Sequence, residues 1–145
     1  MQMEKRGANR LFASLGKELD DLHYRAGNLM LEAKIDNAGG QWDVADAKHG
    51  EVARIQERLA EASRDAGLWE RMRIHQTTGA SCWAQAGNYV RAFEIYDAVI
   101  ADPAITEEYR ASVVAEREGW KQERAAFLHA HWTKRRHDGI IPHTK

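Results

Sequence analysis

The chain has 145 residues, enough for one domain or one domain plus a tail, and a chain of this size can bury a core without staples. Apolar residues make up 43% and charged residues 30%, which is globular chemistry rather than that of a disordered polyelectrolyte. Lys plus Arg is 21 against 22 Asp plus Glu, so no global basic field points to nucleic acid or a membrane surface. The single cysteine, Cys82, cannot close an intrachain disulfide and fits no metal-ligand spacing, which favours a reducing, cytoplasmic setting. MQMEKRGANR lacks the apolar region of a signal peptide, and no apolar run approaches a membrane span.

Alanine occurs 23 times and valine 6, a balance that favours helix over strand. From Asn9 as N-cap, a first helical stripe runs Leu11, Leu15, Leu19, Leu22, Ala26, Leu29 and Ala33, stopping at Asn37-Ala38-Gly39-Gly40. A second runs Ala45, His49, Val52, Ile55, Leu59, Ala62 and Ala66 and ends at Gly67. The third, Leu68 to Ala86, has no charged residue from Ile74 onward, which suits a helix central to a bundle or lining a groove. The fourth carries Tyr89, Ala92, Tyr96 and Val99 and stops at Asp102-Pro103, a pair able to cap and open the next helix. The fifth runs Ile105, Tyr109, Val113, Trp120, Phe127 and His131 and decays at Gly139 and Pro142. The expectation is an all-α fold of about five antiparallel helices: one helical domain over 1–137 and an irregular tail over 138–145.

In residues 80–103, Gly87, Tyr89, Ala92 and Tyr96 follow the second half of a tetratricopeptide repeat. Pro103 closes the segment, and Ala80 and Trp83 hold the small and aromatic positions of the first helix. The segment 68–103 therefore resembles a tetratricopeptide-repeat hairpin. A fainter copy lies 47 residues earlier, in Gly40-Gln41-Trp42 with Ala45 and Ala33. The pattern departs from the family where Pro103 falls one residue early, where Gln76 and Gly79 replace bulky apolar residues, and where 47 exceeds the 34-residue period. If the hairpin forms, Gln76, Ala80 and Trp83 pack inward. Arg73, Thr77, Ser81 and Gln85 then form the opposite stripe, which the resemblance assigns to a groove that holds a partner peptide.

Catalytic signatures are few. Phosphate loops, His-Glu-x-x-His and paired-cysteine motifs are absent from the sequence. Two Glu-x-x-Asp pairs, Glu18/Asp21 and Glu94/Asp97, give half the pattern of an all-α metal-dependent nucleotide hydrolase, but they read first as solvated helix faces. His23, His49 and His75 recur every 26 residues, but in an antiparallel hairpin the first two would stand roughly 9 Å apart in height, too far to share an ion. The tail His129 to His137 joins Trp132 to Lys134, Arg135 and Arg136, a mix able to bind phosphate and stack on bases.

The leading expectation is a non-enzymatic protein-protein interaction module, an adaptor or regulatory protein, with Arg73, Thr77, Ser81 and Gln85 at its binding face. The alternative is a nucleic-acid-associated accessory protein using Trp132, Lys134, Arg135 and Arg136. Neither reading calls for catalytic residues, a metal or a cofactor, and both admit a homo-oligomer.

Overall fold

The computed structural model describes the backbone of residues 13–137 and side chains through residue 130. It is all-α: five helices and, among the described residues, no strand. They are α1 (Lys17–Ala38), α2 (Trp42–Asp65), α3 (Trp69–Gln85), α4 (Tyr89–Ile100) and α5 (Glu107–His137). Compactness divides the chain at Ala104–Ile105, placing α1 to α4 in one unit and α5 in another.

Within the first unit each helix turns back on the one before. Ion pairs fix the α1–α2 register: Glu18 meets Arg58, Arg25 meets Glu51 and Asp36 meets Lys48, so position falls along α2 as it rises along α1. The same antiparallel relation holds between α2 and α3, where Gly50 lies beside Trp83 and Ala86 while Gly79 lies beside Gln56 and Ala53. A Cβ added at Gly79 would stand 3.3 Å from that of Gln56, so glycine at this position lets α3 come close to α2.

Three of the reversals share one device. Gly40, Gly67 and Gly87 have φ of 78°, 72° and 87°. The N–H of each donates three residues back, to Asn37, Arg64 and Ala84, and the next N–H reaches Asp36, Ser63 and Trp83. This is the Schellman closure, which satisfies carbonyls that the helix end would leave unpaired. An aromatic residue, Trp42, Trp69 or Tyr89, opens the following helix each time.

The core gathers Ala26, Leu29, Val52, Ala53, Ile55, Leu59 and Cys82, with Leu15, Leu19, Leu22 and Trp83 packed against it. The four alanines at the small positions of the two repeat-like segments, Ala33, Ala45, Ala80 and Ala92, are all fully buried. Small side chains there allow close helix approach, and Tyr96 fills the space beyond as the largest fully buried residue.

Two helix starts differ from expectation. The proposed N-cap Asn9 lies outside the described residues, and residues 13–16 are not helical. There Gly16 has φ 99°, and the Asp20 carboxylate accepts from the Leu15 N–H and the Ser14 hydroxyl, so the helix begins only at Lys17. Asp102-Pro103 does not open α5. Asp102 accepts from the Ala104 N–H and pairs with Arg73, and Thr106 caps α5 by accepting from the Tyr109 N–H. The expected tail, 138–145, lies outside the described residues.

Candidate functional site

A cleft of about 420 Å³ runs along α3 between α2 and α4. Spacing explains its walls: Glu57, Ala60, Glu61 and Arg64 fall on one face of α2, and Arg91, Ile95 and Ala98 on one face of α4. Met72 and Gln76 of α3 form its floor, joined by the apolar Ala60, Ile95 and Ala98. Glu57 bonds to Arg91 across the cleft and also accepts from the Trp83 indole N–H at 2.9 Å. That bond to Glu57 holds Arg91 firmly cationic, with Glu94 adding to it. Arg64 pairs on its own helix with Glu61 and Asp65. The charges at the rim are therefore mutually paired, whereas the side-chain amide of Gln76 makes no hydrogen bond to any described residue.

Beneath α3, on its α2 side, lies a buried polar network. His75 is 4% exposed, with Nδ1 2.6 Å from Gln56 Oε1 and Nε2 accepting from Arg71 Nε at 3.1 Å. The Arg71 guanidinium also donates to the Ala13 carbonyl, tying the segment before α1 to α3. His23 meets the edge of His75, with ring centroids 5.4 Å apart. Burial above all, then the positive Arg71 and His23, pushes the His75 pKa down to about 4. This arrangement stabilises the fold and holds imidazole neutral; it lies away from the cleft lining.

The four residues expected at a groove are not brought together as one. Arg73 is half-buried and pairs with Asp102 at 3.4 Å. Thr77 donates to the carbonyls of Arg73 and Ile74 on its own helix, and Gln85 donates to Ser81. Met72 and Gln76 lie on a different side of α3 from Thr77 and Ser81, at 100° per residue. Sequence reasoning turned Gln76 inward because the repeat pattern puts a bulky residue there. In this chain Gln76 lines the cleft instead.

The other candidates are dispersed. Glu18 is engaged by Arg58 and Glu94 by Arg91, and among the described residues no three His, Cys, Asp or Glu side chains could hold a metal ion. His49 is buried apart from the His23–His75 contact. Cys82 is 1% exposed, and burial pushes its thiol up to about 11, far from a reactive thiolate. Trp132, Lys134, Arg135 and Arg136 lie on the last turns of α5, and their side chains fall outside the described residues. No helix among the described residues is long and apolar enough to cross a membrane. No protein-family model matches this chain, and no significant match was found among curated proteins or solved structures.

Proposed function

We propose that this chain is a non-enzymatic helical interaction module that holds an extended segment of a partner protein in the cleft over α3. The observation that carries this reading is a cleft with an apolar floor, a rim whose charges are already neutralised, and one amide without a protein partner. A primary amide offers donors and an acceptor, the complement of one peptide unit. Met72 supplies an adaptable apolar surface, and about 420 Å³ suits a few side chains rather than a large cofactor. The tetratricopeptide resemblance of 68–103 supports the same reading, because that family holds partner peptides in a groove beside such a hairpin.

The test is selection of ligands from a displayed peptide library on the whole chain, followed by variants. Ala98→Arg fills the cleft from an exposed position and should abolish binding with the melting temperature unchanged. Gln76→Ala should weaken it roughly tenfold, the worth of about one hydrogen bond. Ser81→Glu, on the other side of α3, should leave it intact. Loss of binding with Ser81→Glu and not with Ala98→Arg would overturn the cleft assignment.

A further inference from the structure

Helix α1 carries two opposed apolar stripes. Leu19, Leu22, Ala26, Leu29 and Ala33 face inward, and Ala26, Leu29 and Ala33 are buried. Half a turn away, Tyr24 (76% exposed), Leu31 (63%) and Ile35 (71%) face outward. With Asn28 and Ala38 they complete the four-three-four-three spacing along which one helix meets another in a coiled coil. Gly27, beside this stripe, has no atom within 4 Å of where a Cβ would stand other than its own helix's neighbouring backbone, so a second helix meets no side chain there. A mid-helix glycine costs roughly 1 kcal/mol relative to alanine, and its own fold gives no packing reason for it.

The charges flanking the stripe say which helix fits. Arg25 and Glu32 lie on the same edge, one turn either side of its centre, and their side chains are 58% and 54% exposed. When a second copy of α1 is laid antiparallel, Tyr24 stands opposite Ile35, Asn28 opposite Leu31, and Arg25 opposite Glu32 of the other copy, twice over. A twofold interface must be complementary to itself, and the two Arg25–Glu32 pairs meet that condition. In a parallel pairing Arg25 would instead face Asp20, whose carboxylate is already held by Ser14 and the Leu15 N–H. The intrachain partners of Arg25 and Glu32, Glu51 and Lys48, form surface pairs that yield at little cost. We infer that the outer face of α1 binds a second copy of this chain, as an antiparallel two-helix seam centred between Asn28 and Leu31. The seam runs over residues 24–38 of one helix, the size of a weak, reversible dimer rather than an obligate one.

Sedimentation of the full chain from about 1 to about 300 μM tests this. The mass should rise from 16.5 kDa toward twice that value. Leu31→Glu with Ile35→Glu, both at exposed positions, should hold it monomeric with unchanged helicity. Should that variant fold poorly, the charges decide. Arg25→Glu alone and Glu32→Arg alone should each weaken the dimer roughly tenfold, and the two together should restore it. A chain that stays monomeric throughout would overturn the inference. So would a dimer that survives the double glutamate variant, or reversals that fail to rescue each other.

Discussion

Acidification reads directly on the His75 network. Nδ1 of His75 faces the Gln56 amide oxygen and Nε2 accepts from Arg71, a pattern only the neutral ring with its proton on Nδ1 can satisfy. Protonation would remove the acceptor for Arg71 and set two cations in contact inside the fold. Burial and those neighbouring charges hold the ring's pKa at about 4, against 6.5 in the unfolded chain. The unfolded state therefore binds more protons between these values, and stability falls as pH falls through that window. The contribution is complete above pH 6.5 and lost by about pH 4. At roughly 1.4 kcal/mol per pH unit it amounts to about 3 kcal/mol, a large part of a domain's total. Burial lowers the pKa of His49 as well, which adds to the same slope. Imidazole NMR on the folded chain should show His75 neutral down to about pH 4.5, and urea unfolding should show the midpoint falling between pH 7.5 and pH 4.5. In His75→Gln most of the slope should vanish, at a cost in stability at neutral pH. A His75 that titrates near its ordinary value in the folded chain would refute the reasoning.

Gly87→Ala should lower stability by about 1 to 2 kcal/mol, because φ of 87° is a conformation that a Cβ opposes; chemical denaturation measures it. Gly27→Ala, in the middle of a helix with open space around it, should raise monomer stability by a few tenths to about 1 kcal/mol. Cys82 should resist a thiol reagent in the native chain and react at the unfolding rate, since it is buried with its thiol pKa raised to about 11; rapid labelling under native conditions would contradict its place in the core.

Much of the architecture is written locally. The three-four spacing of Leu19 to Ala33 and of Ala45 to Ala66, the glycine before each aromatic and the charge-free stretch of the third helix from Ile74 onward all act within a few residues. Helix, turn and central position follow from them. The buried alanines at 33, 45, 80 and 92 were legible for the same reason, because small side chains at helical spacing matter only where another helix comes close. The start of α1 was not legible. Leu15 continues the stripe, yet the Asp20 carboxylate draws the preceding backbone N–H away from helix. A similar competition for hydrogen bonds moved the start of α5 from Pro103 to Glu107.

The candidate site belongs to the tertiary structure. Arg73, Thr77, Ser81 and Gln85 share a helix face, as their spacing requires, but a face becomes a groove only where neighbouring helices stand apart. That separation lies over Met72 and Gln76. The His75 tautomer depends likewise on Gln56, 19 residues away, and on the depth to which α3 sinks onto α2 at Gly79. Sequence by itself determined which segments are helices and, in α1, α2 and α4, which stripe turns inward, because those choices rest on the 3.6-residue period and on burial of apolar surface. Tertiary structure alone decided where the helices leave a gap and which polar groups meet inside the fold. Both are set by distances between residues far apart in the chain, and no local pattern encodes those distances.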